Sequence, residues 1–511
     1  MDSLEEKTNL PWLNKTAIAL KRRSFIGWLA IYVFLAGFIQ FYIISTPVDA
    51  DTDYHIAVGR LIRQYGILHA FPWTPFSWLS DHYADKELLF HLLFVPLAGV
   101  NWIVASKIIG TLTGSALLLT LYAILRKEGV RLSGLWAFFP LVACDVFLWR
   151  FSLVRPHLLS ISLAFIVLWA AINYRLVVLA IAAAIYPWAY VGWQLPFALT
   201  LISETAGVLS ARQFRWKVVV TALAGTALGL ALHPNAMNLL QFTWIQIVDV
   251  LIKNAWLGQK GFELGKEFEP FTLSQWARYL LACVLMAFSS VVLAWRNRRN
   301  DVTSLAFALA TLVFFAITLK TARFAEYFIP FSVVSFALAS RSISWKYLSV
   351  IVFSATVLYT CIPLSETVRG LSTPGKRVPS NFVSTRLQQL IPPGSQVFTT
   401  DWGYTGAVML VLPERRFIVA LDPTFFYMKD PKLYHLWYTL LREPPADAAE
   451  RIRKDFGARF VLSFWDSRWI NFYNALSSDP SVRMLLNDDY WLLLDLGEPT
   501  RPEQGAISYH W

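Results

Sequence analysis

The chain has 511 residues, 56% of them hydrophobic and only 15% charged, with a mean hydropathy of +0.47. That is too apolar for a soluble globular protein, whose apolar share is nearer about 45–50%, so it reads as an integral membrane protein. The net charge of +11 is not a nucleic-acid footprint, because the Lys and Arg residues fall in short clusters between apolar runs, and Cys144, Cys283 and Cys361 all sit inside such runs, which excludes a disulfide framework or a C-x-x-C metal site.

Residues 1–24 are polar and end in Lys21-Arg22-Arg23, immediately before the apolar run 25–45. The positive-inside rule predicts that this N-terminal segment is cytoplasmic and that the loop following the run, 47–88, is outside. The run lacks a small-x-small site, so no cleavable signal peptide is expected. Residues 88–100 are too short to cross and predict a second surface helix, whereas 101–125 can span. Further spans are predicted at 132–149, 156–172, 176–191, 195–209, 216–232, 273–295, 302–319, 325–339 and 347–361. Together they make about eleven crossings at roughly 20 residues each. Parity agrees: the loops predicted inside carry Arg175, then Arg212, Arg215 and Lys217, then Arg296, Arg298 and Arg299, then Arg341 and Lys346.

The transmembrane region is thus expected over 25–364. A Ser/Pro/Gly-bearing linker is predicted at 365–380, and a soluble α/β domain over 381–511, outside by parity. Its strands are predicted at 396–400, 416–421, 459–464 and 490–496, with helical stretches between them and a three-layer tendency. Asp401-Trp402-Gly403 and Leu421-Asp422-Pro423 each follow a strand, where α/β sites often form, although turn chemistry alone accounts for both.

The most polar stretch of the first third is 49–91. It places Asp49, Asp51 and Asp53 together, then His55, Arg60, Arg63 and His69, a Trp/Pro-rich turn, and Asp81, His82, Asp85, Lys86, Glu87 and His91. Carboxylates gathered at a membrane face are costly unless paired, metal-bound or wet. Ile56, Val58, Leu61, Ile62 and Ile67 recur at roughly helical spacing, which predicts an amphipathic helix along the membrane surface. One aspartate can cap such a helix; three cannot.

Asp51-x-Asp53-Tyr54-His55, then Gly59-Arg60, the turn Pro75-Phe76-Ser77, and Asp85 with Glu87 form a pattern that resembles the first extracytoplasmic loop of bacterial GT-C superfamily glycosyltransferases. The close match is confined to this loop, and the rest of the chain matches by layout. The resemblance implies a multi-pass enzyme of the bacterial inner (cytoplasmic) membrane with its active site and C-terminal domain extracytoplasmic. It implies transfer, with inversion, of a sugar from a polyprenyl-phosphate donor to a glycan, lipid or protein acceptor, and no nucleic-acid partner. Asp53 is then the favoured catalytic carboxylate, with Asp51 close behind and His55 and Glu87 flanking. A divalent cation, Mg or Mn, could be held by Asp51 and Asp53.

Ionisable residues also gather at the predicted outer helix ends: Arg150, Arg155, His157, His233, Glu263, Lys266, Glu267, Glu269, Lys320, Arg323 and Glu326. Lys and Arg snorkel at any interface, but Arg155 and Arg323 lie where positive-inside bias disfavours arginine, and a forked guanidinium suits a phosphate oxyanion. The expected substrate-binding set is Arg60, Arg155, His157, His233, Lys320, Arg323 and Glu326. The acidic stretch 261–271 reads as a solvated loop or an acceptor-side loop. No G-x-x-x-x-G-K-[ST], G-x-G-x-x-G, H-E-x-x-H or G-x-S-x-G occurs. A transporter or flippase for a lipid-linked saccharide, and a structural subunit of an envelope glycan assembly, remain as rival readings.

Overall fold

Helix dominates because most of the chain consists of apolar runs between basic turns, and in hydrocarbon a backbone satisfies its hydrogen bonds most simply within a helix. The computed structural model describes residues 11–47, 49–259, 264–343, 347–420 and 423–498, with the side chains of 11–23 and 342 outside the description. Glu263, Lys346 and Asp422 therefore lie outside the described residues.

Among the described residues, five helices are long and apolar enough to cross a membrane: Ser24–Ile43, Trp102–Lys127, Leu273–Arg296, Ala322–Ala339 and Leu348–Ser372. Two bent pairs raise the number to as many as seven: Asp145–Ser152 with His157–Ile172 at 112°, and Trp216–Ala231 with Ala236–Trp256 at 116°. Leu176–Ala189, Leu195–Leu209 and Val302–Thr318 are apolar but only 14, 15 and 17 residues long. The protein is a multi-pass membrane protein with fewer full-length spans than the eleven expected. One reason is local: the predicted span 132–149 is three short helices, Ser133–Phe138, Pro140–Ala143 and Asp145–Ser152. Pro140 cannot donate to the preceding turn and Cys144 is extended at φ −158°, so the run breaks.

The span-grade part of the first helix, Ser24–Ile43, falls on the expected apolar run, although the helix itself starts at Pro11, a residue suited to the first helical position. One predicted boundary moves. The last membrane helix continues to Ser372, so the linker expected at 365–380 begins only after it. Leu371 is buried and Glu366 pairs with Arg278 at 2.7 Å, which holds the final turns in the bundle.

The C-terminal domain carries a five-stranded sheet in the order β2-β1-β3-β5-β4. The strands are β1 (Gln396–Thr399), β2 (Arg416–Phe417), β3 (Phe460–Phe464), β4 (Arg483–Asn487) and β5 (Trp491–Asp495). β1 lies parallel to β2 and β3, and β5 antiparallel to β3 and β4. β4 was not expected: it is a mostly exposed edge without alternating polarity, and pairing with β5 is what makes it a strand.

This domain does not hang free on a linker. Tyr54, Val58 and Leu61 of the first loop share one hydrophobic core with Val397, Tyr404, Phe417 and Leu462. Gly406 sits so close that a Cβ there would lie 2.7 Å from the Tyr54 amide nitrogen. The Phe417 amide donates to the Trp73 carbonyl at 2.7 Å, and Lys429 Nζ donates to Asp81 at 2.6 Å. The polar loop is consequently roofed rather than solvated.

Candidate functional site

The surface helix is Ala50–Tyr65, with Asp49 at its N-cap. Asp49 makes no capping bond to backbone; its carboxylate instead accepts from Arg155 Nε at 2.5 Å and from the Thr52 hydroxyl. Along a helix each residue advances about 100°, so Asp51 and His55, four apart, share a face, whereas Asp53 is about 200° from Asp51. The structure follows this division. Asp51 and His55 line a cavity of about 310 Å³, and Asp53 is not among its lining residues.

The opposite wall comes from other helix ends and from the 264–268 segment: Arg155, His157, Tyr190, Glu267, Arg323 and Glu326. Trp402, three residues beyond β1, and Pro423 close the cavity from the C-terminal domain. Lys86 and Glu87 complete it from the far end of the loop.

Glu267 is the hub of the charge network. Its carboxylate accepts from Arg323 at 2.6 Å and Arg150 at 3.1 Å and lies 3.7 Å from Arg155. Burial alone would raise this carboxyl, but Arg323, Arg150 and Arg155 outweigh it and hold it well below the usual carboxylate range. Arg155 also binds Asp51 at 2.8 Å. Arg150 lies 4.0 Å from Glu326, which accepts from the Tyr190 hydroxyl at 3.2 Å. Three guanidiniums thus converge on Glu267 beside Asp51.

The second network runs through histidines. His91 Nδ1 binds the Asp85 carboxylate at 2.8 and 2.9 Å, and His91 Nε2 meets His55 Nδ1 at 2.8 Å. With Nδ1–H of His91 donated to Asp85, its Nε2 accepts from His55 Nδ1–H, which leaves a lone pair on His55 Nε2. Burial, and then the His91 ring, push the His55 imidazole well below its usual range, so it is neutral. Gly59 makes this meeting possible: a Cβ there would lie 2.5 Å from Phe94 Cβ and 3.2 Å from the His91 carbonyl.

The expected site residues divide accordingly. Asp51, His55, Glu87, Arg155, His157, Arg323 and Glu326 line the cavity. Asp53 is 1% exposed, has one carboxylate oxygen without a partner among the described residues, and is raised well above the usual range by burial, with Arg377 opposing. His157 donates from Nε2 to the Arg150 carbonyl at 2.9 Å. His233 lies outside the cavity lining and holds the Asp85 carbonyl at 3.1 Å, steadying the turn from behind. Lys320 is exposed and does not line the cavity, and Arg60 lines a different one. The cavity lining adds Tyr190 and Gln246, which sequence reasoning missed, and Lys86 and Glu267, which it named but left out of the expected set. Trp402 was visible as a residue following a strand.

Among the described residues, His55, Glu87 and His91 form the group able to hold a metal ion, their ligand atoms lying within 4.8 Å of one another. Two nitrogens and one carboxylate suit a zinc-like cation better than the Mg or Mn expected on Asp51 and Asp53. The two ring nitrogens now share a hydrogen bond at 2.8 Å, whereas ligation at about 2.0–2.1 Å each to a tetrahedral ion would part them by roughly half an ångström.

No known protein family matches the chain by sequence profile, and no curated protein matches it by sequence. Solved structures do match. The apo crystal structure of ArnT from Cupriavidus metallidurans superposes with a TM-score of 0.57 at 12% identity, over 92% of this chain and 98% of that one. The arabinofuranosyltransferase AftD from Mycobacteria matches with a TM-score of 0.53 at 16% identity, over 93% of this chain but 40% of its own. A mutant form of AftD gives 0.50 at 15% identity, over 93% and 42%. A likeness that spans nearly the whole chain at such low identity is one of fold: this multi-pass membrane protein shares its fold with ArnT and AftD.

Proposed function

We propose that the protein transfers a sugar from a polyprenyl-phosphate donor to a glycan, lipid or protein acceptor on the outer face of the bacterial inner membrane. The observation that carries this reading is the convergence of Arg150, Arg155 and Arg323 on the single carboxylate of Glu267, beside Asp51. A carboxylate held by several guanidiniums is the electrostatic likeness of a bound phosphate, and Arg forks match both.

In this reading the lipid phosphate of the donor takes the arginines, chiefly Arg155 and Arg323, in place of Glu267. The acceptor hydroxyl attacks the anomeric carbon from the face opposite the phosphate, so the configuration inverts. The new C–O bond forms as the anomeric carbon–phosphate oxygen bond breaks, and the electron pair leaves on the phosphate, whose growing charge the guanidiniums offset. The acceptor proton goes to Asp51, the aspartate on the cavity wall, in preference to Asp53. His55, with its lone pair on Nε2, orients the acceptor. A divalent cation on His55, Glu87 and His91, when bound, supplies Lewis-acid assistance.

The same reading places the N-terminus in the cytoplasm and the C-terminal domain outside, on the side of the loop it packs against. Its test is turnover by the purified protein of a polyprenyl-phosphate sugar, followed as release of polyprenyl phosphate. Release that depends on an acceptor and on Asp51 supports the reading. Movement of the intact lipid-linked sugar across vesicles without cleavage replaces it with the flippase.

A further inference from the structure

A second cavity, about 660 Å³, opens where the C-terminal end of the surface helix meets residues 95–99 and the C-terminal domain. Arg60 and Arg63, nearly one turn apart on that helix, line it, and none of its lining residues is acidic. The active-site cavity, by contrast, sets as many carboxylates as cations along its wall. Arg60 is half-buried and donates from Nη2 to the Val100 carbonyl at 3.3 Å, while its Nε is buried without a partner. Among the described residues neither Arg60 nor Arg63 forms an ion pair, and burial pulls the Arg60 guanidinium down with no acid to offset it.

A half-buried cation such as Arg60 without a counter-charge is costly, and an anion bound in the cavity would offset that cost. The level in the membrane identifies which anion. Val100 precedes Asn101, the N-cap of the spanning helix Trp102–Lys127, so the cavity lies where that span emerges from the bilayer. Its remaining walls are largely apolar, with Val95, Pro96 and Leu410 beside the arginines. We propose that this cavity binds the phosphate headgroup of an anionic glycerophospholipid, Arg60 and Arg63 taking the phosphate and the apolar wall receiving the upper part of its chains. The proposal is independent of the transfer reading and concerns a different face of the surface helix.

The test uses the full chain in nanodiscs and in detergent, with phosphatidylglycerol, phosphatidylcholine and inorganic phosphate as separate probes. Retention of lipid is read by native mass spectrometry and by the shift in thermal midpoint. Phosphatidylglycerol is expected to be retained in preference to phosphatidylcholine. Its affinity is expected to fall about tenfold or more in R60Q/R63Q, as loss of charge-assisted bonds dictates. R63Q alone changes an exposed side chain, keeps the fold, and should show a partial loss. R296Q, an exposed arginine at the other end of a span, should bind as the unaltered chain does. Equal retention in R63Q and the unaltered chain, or equal retention of phosphatidylcholine, overturns the proposal. Displacement of the lipid by inorganic phosphate at matching concentration overturns the lipid as the ligand in favour of a soluble phosphate.

Discussion

Replacing Asp51 and Asp53 by asparagine, one at a time, separates two carboxylates that lie within one turn of the same helix. Asp51 lines the cavity and binds Arg155 at 2.8 Å, and an amide there can no longer take the acceptor proton. Loss of a general base lowers kcat by about 10²–10⁴-fold, or about 3–5 kcal/mol of barrier. The fold should persist, because Arg155 keeps Asp49 at 2.5 Å. Asp53 is buried off the cavity wall with its carboxyl raised well above the usual range, so it favours the neutral form that asparagine mimics. Asp53→Asn is expected to leave kcat and donor KM nearly unchanged and to alter the pH dependence of stability instead. A carboxyl whose folded pKa is raised gives stability that is complete below the unfolded pKa and is lost as pH rises toward the folded one, at up to about 1.4 kcal/mol per pH unit. The Asn variant should lack that decline. The assay is donor turnover in nanodiscs, with thermal unfolding followed from about pH 5 to about pH 8. If Asp53→Asn abolishes turnover while Asp51→Asn keeps it, the assignment of roles from helical face is wrong.

Arg323→Ala should raise the donor KM, at a cost on the order of 2–5 kcal/mol for a desolvated charge pair, whereas Arg296→Ala, on an exposed last turn, should not; equal effects in a turnover assay would remove the phosphate role. Arg341 cannot serve as that control, because it binds Asp301 at 2.6 Å and Glu128 at 3.3 Å and its loss should lower the thermal midpoint. Glu267 is held below the usual carboxylate range, so its stabilisation is present above the unfolded pKa and disappears as pH falls through the folded one. Glu267→Gln should therefore flatten the acid limb of a melting-temperature profile and lower the donor KM, since the arginines lose the carboxylate that competes with phosphate. Gly59→Ala should destabilise by about 1–3 kcal/mol through overpacking, because its Cβ would sit 2.5 Å from Phe94 Cβ, and unfolding midpoints indistinguishable from the unaltered chain would refute the close approach.

Much of the architecture was legible in the residues alone. Membrane residence follows from composition, and the helix Ala50–Tyr65 from the spacing of Ile56, Leu61 and Ile62, because both depend on local pattern, although those side chains are buried in a core shared with the C-terminal domain. Arg155 and Arg323 stood out in the sequence as candidates for an anion and do line the cavity, and four strands of the C-terminal sheet were readable from their apolar runs. Even the divergence of Asp51 from Asp53 was latent in the helical period, although the motif drew attention to Asp53 instead.

Packing decided the rest. Glu267 meets Arg150 across 117 positions of sequence, and no periodicity records such a distance. His55 gained its hydrogen-bonded partner because Gly59 lets two helices approach, a steric fact carried by an absent Cβ. Arg60 and His233, chemically suited to the cavity, lie outside it because the surface helix turns one away and the Asp85 turn claims the other. Local sequence fixes what each segment can be and on which side of the membrane its charges are favoured. Which charges share a cavity depends on side-chain direction and helix contact, and those are settled only when distant segments pack against one another.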